Sequence, residues 1–236
     1  MKRAAFFGLL MLGLLACGGS TPPPEAPVEK PEPPSARPAR PSFQMSQELG
    51  YLDERDVQAT FSSLQPKLFS CLERGSEANE LLEGGVSFKV RILEDGSVKW
   101  AYLADSTLGD RQTERCMLDA VKAARWPRPM DGPEGQALGS FDFEASPDVR
   151  PALDWDETQV SSVLPKLRAR IGACPGAKGP YRITAYVDQQ GKVMSAGVAP
   201  PDEEAEAASD CVVEAVKRLE LSSPGSWPAK VTFELR

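Results

Sequence analysis

Five cysteines, no histidine and a few short acidic runs decide what chemistry is open to this 236-residue chain. Without histidine there is no Ser-His-Asp or Cys-His catalytic pair, no H-E-x-x-H zinc site and no imidazole switch near neutral pH. The cysteines stand at 17, 71, 116, 174 and 211, with no C-x-x-C among them. A dithiol redox centre, a catalytic thiol or a zinc site is therefore not expected. The acids Asp202, Glu203, Glu204, Glu206 and Asp210 read as dipole-matched charge at a helix N-terminus rather than as a cation site. Gly84-Gly85 and Gly132-Pro133-Glu134-Gly135 lack the Lys-Ser/Thr that turns a glycine loop into a phosphate cradle. Nothing positions a carboxylate pair for glycoside hydrolysis. A net charge of −7 and a pI near 4.9 argue against nucleic acid as a partner. The expectation is a protein without catalysis, cofactor, metal or evident small-molecule substrate.

Cys17 carries the first positive signal. Lys2 and Arg3 precede an apolar run at 4–15 that is too short to span a bilayer. Leu14-Leu15-Ala16-Cys17-Gly18 follows and resembles a bacterial lipobox. That resemblance implies cleavage after residue 16 and a lipid on the Cys17 sulfur. Acyl chains anchor at about 0.8 kcal/mol per buried methylene. Loss of Lys2 and Arg3 makes the chain more negative, so headgroup attraction would not help. Gly18, rather than Asp, favours the outer membrane in the enteric sorting pattern. The expected location is the cell envelope, facing the periplasm.

Between 22 and 41 the chain reads PPPEAPVEKPEPPSARPARP, with nine of its 22 prolines. There is almost nothing here to bury. Polyproline II geometry at about 3.1 Å per residue gives up to roughly 60 Å of reach. Residues 17–43 are expected to be a tether.

The remainder is an internal duplication. Val57, Phe61, Leu64, Leu68 and Cys71 have the same spacing as Val160, Leu164, Leu167, Ile171 and Cys174. That spacing is one face of an amphipathic helix, twice. Asp53 and Asp156 are expected N-caps, and Pro66 and Pro165 are expected to kink each helix or split off its first turn. Val86, Phe88, Val90 and Ile92 alternate with polar residues, as do Tyr181, Ile183, Ala185 and Val187. Each set predicts a strand of a half-exposed antiparallel sheet. Turns at Gly96 and Gly191 return the chain, and the five-residue gaps Val98–Leu103 and Val193–Val198 predict a bulge in each returning strand. A second helix carries Cys116 or Cys211, each 20 positions after its turn glycine. Short strands at 141–144 and 231–234 close the copies, and the first copy has loop insertions near 75–83 and between Trp126 and Gly139. The fold class is α+β: two tandem α-β-β-α-β domains at 44–145 and 154–236, joined by a linker at 146–153. Each would have a three-stranded antiparallel sheet with two helices on one face. Trp100, Trp126, Trp155 and Trp227 read as core or junction residues before a carbohydrate platform.

This order of Cys-ending helix, strand, D-G hairpin, Cys-bearing helix and F-x-F strand resembles a myxobacterial family. It is the AgmX/PglI-type C-terminal domain of gliding-motility and related envelope proteins, itself similar to the C-terminal domain of TonB. The chain departs from it in the shortened link after the first helix of copy two, and in Leu221-Ser222 where copy one has Trp126-Pro127.

If Cys17 is lipidated, four cysteines remain, and the duplication selects Cys71–Cys116 and Cys174–Cys211. The alternative is four buried free thiols. A first strand at the sheet centre leaves the last strand at an edge, which places candidate partner-binding residues at Phe141, Phe143, Val231 and Phe233. TonB-like domains capture partners this way, which implies a lipid-anchored adaptor for another envelope protein, in a gliding-motility or transport-related assembly. One variation has the copies dock on each other and consume an edge. The alternative function is a structural lipoprotein contacting peptidoglycan. Replacing Cys17→Ser should abolish acyl labelling and membrane retention; a mutant that still takes up label would refute the lipobox.

Overall fold

The structure is a computed structural model that describes residues 49–236; Cys17, the 1–16 segment and the 17–43 tether lie outside the described residues. Helix α1 (Glu54–Ala78) starts where Asp53 accepts a hydrogen bond from the Arg55 amide, and buries Phe61, Leu64, Leu68 and Cys71. Pro66 does not divide it. The proline is exposed, on the side where a freed carbonyl reaches water. Strands β1 (Gly84–Leu93) and β2 (Val98–Ser106) form the first hairpin, α2 (Arg111–Lys122) follows, and β3 (Glu134–Phe143) returns beside β1. The order is β2-β1-β3, all antiparallel. A short strand β4 (Leu153–Trp155), a 3-10 turn (Glu157–Val160) and α3 (Leu164–Ile171) open the second half. Here Pro165 does split off a first turn, standing at the start of α3. Strands β5 (Tyr181–Val187) and β6 (Val193–Ala199), α4 (Ser209–Lys217) and β7 (Ala229–Leu235) complete the chain.

Both predicted bulges are present, and at equivalent places. The β1–β2 register skips Lys99 and the β5–β6 register skips Met194. Gly96 and Gly191 share φ +82°, and a Cβ on either would meet a backbone carbonyl, that of Trp126 at 2.5 Å or Leu221 at 2.1 Å. The disulfides are Cys71–Cys116 and Cys174–Cys211, each with Cα atoms 5.8 Å apart. Closing loops of 45 and 37 residues, each contributes about 4 kcal/mol on the chain-entropy model.

Four expectations are corrected. The second sheet has four strands, ordered β4-β7-β5-β6, because residues 153–155, at the expected boundary of linker and second domain, pair in parallel with β7. Strand β3 begins at Glu134, inside the supposed loop insertion. Its Gly135 and Gly139 read as loop residues, yet they are small because Leu52 and Phe61 lie on them; a Cβ would sit 2.7 Å and 2.5 Å from those side chains. Helix α3 ends at Ile171, so Cys174 sits in the turn beyond it, where Gly172 and Pro175 stop the helix. The second sheet is not half-exposed: α3 and α4 cover one face, and the first half covers the other. Thr184 and Tyr186, on the face expected to be wet, are fully buried, and Tyr186 belongs to the first half's core. The two halves cluster as one compact unit.

The ring of Phe61 is held edge-on between Trp126, 4.8 Å away, and Phe141, 5.9 Å away. Gly139→Ala should overpack that site and destabilise the protein by about 1–3 kcal/mol, read as a lower urea midpoint at unchanged slope.

Candidate functional site

A sheet edge binds through backbone groups that no neighbour uses, so the first question is which strands keep theirs. Strand β4 is three residues long, and β2 and β6 carry bulges and pack against each other where the halves meet. Strand β3 has ten residues, an unshifted register with β1, and no Lys, Arg or Pro. It therefore lacks the bulges, prolines and basic side chains that blunt an edge, and carries charge only at Glu134 and Asp142.

The direction of its free groups follows from two bonds. The Leu93 amide donates to Ser97 O and the Thr107 amide donates to Gly85 O, so the odd residues of β1 face β2. Their partners on β3 are Glu134, Gln136, Leu138, Ser140 and Asp142, whose N–H and C=O groups must face away from β1. The Gly50 amide takes Glu134 O at 2.6 Å, and Tyr51 bridges to Met130, which covers the head of the edge. Gln136, Leu138, Ser140 and Asp142 remain unpaired among the described residues. Beside them a groove of about 370 Å³ runs between α1 and β3, lined by Val57, Gln58, Phe61 and Gln65 opposite 138–141. The Leu138 side chain is 62% exposed.

The residues picked from sequence lie on β3 and β7 at positions whose backbone groups face the neighbouring strand inside the sheet. Phe143 is buried against Phe69, and Phe141 packs on Phe61 and Phe88. The backbone groups of both point to β1. Val231 and Phe233 are buried too, and Val231 pairs with Trp155 of β4. On β7 only Thr232 and Glu234 face outward beyond the end of β4. Reading the closing strand one residue over, and from 134 rather than 141, would have found the edge. Trp126 is core, Trp155 and Trp227 pack against the two cores, and Trp100 stands beside Tyr102.

The junction between the halves holds the groups that sequence reading missed. Glu114, on α2, is fully buried. Its Oε1 accepts from Ser106 Oγ at 2.6 Å, and its Oε2 accepts from the Val198 amide of β6 at 3.0 Å. Burial pushes its carboxyl up to about 7, against the opposing pull of those bonds and of the Arg111 charge. Around it, Arg111 donates to Glu206 and Asp210, both at 2.8 Å, and Arg115 reaches Asp210 at 3.1 Å. Part of the acidic run thus serves as the counter-charge for the other half. On the far side Tyr186 donates its hydroxyl to Glu83 O and accepts from the Glu83 amide, while Lys230 Nζ donates to Glu83 O. Among the described residues there is no cluster of metal-ligating side chains, and no helix is long and apolar enough to cross a membrane.

Set against protein-family models, curated proteins and solved structures, the chain matches none of them.

Because the Glu114 carboxyl titrates near 4.5 unfolded and about 7 folded, the folded state holds more protons in that window. Its contribution is full below about pH 4.5 and lost as pH rises through 7. The loss is on the order of 3 kcal/mol. Glu114→Gln should remove that slope, so the stability difference between variant and parent should shift in the variant's favour from pH 5 to pH 8. Urea titrations at the two pH values measure it.

Proposed function

We propose that the protein is a lipid-anchored adaptor of the bacterial cell envelope that captures another envelope protein by accepting one of its strands along 136–142. The unpaired, unbulged edge of β3 carries this reading. Four outward residues supply backbone donors and acceptors at every second position, the repeat of an antiparallel ladder. The groove beside α1 gives a side chain of the incoming strand a place to lie, with Phe61 at its floor. The edge itself holds one charge between 136 and 142, that of Asp142, which fits an apolar or neutral partner strand.

The rest of the reading follows the sequence. Lipid on Cys17 would hold the chain at a membrane, in the outer-membrane leaflet that faces the periplasm, and the proline-rich stretch would set the edge tens of ångströms away from it. The two halves are read as tandem α-β-β-α-β units of the TonB C-terminal-like kind, serving a gliding-motility or transport-related assembly. In this reading the second unit supports the first, because its sheet is consumed by packing. No catalytic step is assigned to the protein.

The Ser140 N–H makes no bond to β1, so Ser140→Pro removes an outward donor and leaves the backbone ladder intact, and Ser140→Ala controls for the lost Ser87–Ser140 hydroxyl bond. A photo-crosslinking residue placed at Leu138 should label a protein in the native envelope. Ser140→Pro should cut that labelling about 5- to 10-fold, the worth of one lost interfacial hydrogen bond. Labelling from Thr232 but not Leu138, or binding to purified sacculi alone, would reject the β3 edge; the second result would favour a peptidoglycan-contacting lipoprotein.

A further inference from the structure

The two disulfides occupy equivalent positions but not equivalent surroundings. Arg74 lies one turn after Cys71 on α1, and its Nη2 stands 2.7 Å from Cys116 Sγ and 3.6 Å from Cys71 Sγ. Its Nε donates to Ser70 O at 3.2 Å, which fixes the fork over the sulfurs. No carboxylate of the described residues comes within ion-pair distance of it. Asp110, across the same small cavity of about 100 Å³, has its Oδ1 engaged by the Thr113 amide and hydroxyl. Arg74 is exposed, so its charge is shared between water and the sulfurs, with no carboxylate of the described residues competing. Three residues past Cys174 the second half has Ala177 instead. Cys211 is the more exposed sulfur-bearing residue, so access alone would favour the second bridge; only the first has a cation on it.

We propose that Cys71–Cys116 is a thiol–disulfide exchange site for a dithiol reductant, and that Arg74 makes it one. A cation beside a sulfur stabilises the thiolate and makes it a better leaving group. Both cysteines border the cavity, and exposure selects the sulfur attacked: Cys71 is buried while Cys116 is half-buried. The reductant's thiolate forms a bond to Cys116 Sγ as the Cys71–Cys116 bond breaks, and the electron pair leaves on Cys71 Sγ beside the guanidinium. The second thiol of the reductant, deprotonated, then attacks its own sulfur in the mixed disulfide. That releases Cys116 as a thiolate, again beside Nη2. The reductant ends as a disulfide, the two protein sulfurs gain two electrons, and the two protons released by the reductant balance those the cysteines take up. The bridge joins α1 to α2, so its opening removes the covalent tie between the helix that carries Glu114 and Arg111 and the helix that borders the groove, leaving their shared apolar contact.

The full chain contains its own clock in Cys174–Cys211. Dithiothreitol treatment, alkylation quenching at intervals and mass spectrometry give the opening rate of each bridge in one molecule. Arg74→Gln should lower the ratio of the first rate to the second by about 3- to 10-fold, and Arg74→Lys should recover part of it. A limited pulse of 2-mercaptoethanol should leave its adduct on Cys116. A ratio unchanged or raised in Arg74→Gln overturns the proposal, and an adduct on Cys71 overturns the direction of attack.

Discussion

A carboxylate with no exposure to water is costly to bury, and Glu114 is tolerable only because both halves of the chain complete its surroundings. One oxygen is served from within the first half by Ser106, the other by the amide of Val198 in the second. The contact works only if β6 is bare at that point. It is: a Cβ on Gly197 would fall 2.0 Å from Glu114 Oε1. The ion pairs of Arg111 close the site on the solvent side and orient α2 against α4. Removing one partner of such a group would cost more than the group's presence contributes, because the remaining charge would be stranded. The junction therefore acts as a constraint on docking rather than as a reserve of stability.

From that docking follows the unequal fate of the two sheets. The second is buried on both faces and has its last strand partly covered by β4. The first keeps one face and the β3 edge in solvent, while β2 is drawn to the junction. Similar elements built from similar residues have become one sheet buried on both faces and one with an open edge.

Much of this was legible in the sequence because it depends on local geometry. The turn glycines, the paired cysteines and the bulges at Lys99 and Met194 each leave a mark within a few residues. What escaped was set by distant contacts. Gly135 and Gly139 looked like loop because the side chains that need their smallness, Leu52 and Phe61, lie some 80 residues earlier. Leu153-Asp154-Trp155 is too short for an alternating pattern to register, and it is a strand only because β7 offers it an edge. Thr184 and Tyr186 looked solvent-facing, since polar residues on one face of a strand ordinarily are, and nothing local singled out Glu114. On β3 the phenylalanines drew attention to the positions that pack inward. In a strand the residues that fill the core are not the ones whose backbone groups face the edge of this sheet.

The small bridge between Tyr51 and Met130, with the Gly50 amide on Glu134 O, has a mechanical meaning. The chain arriving at Leu49 joins the fold at the head of β3, ahead of α1, both disulfides and the junction. A pull on that arriving segment loads β3 within two residues. A load carried between the chain arriving at Leu49 and the β3 edge has a short path through these bonds, in parallel with the covalent backbone that enters α1 at Glu54.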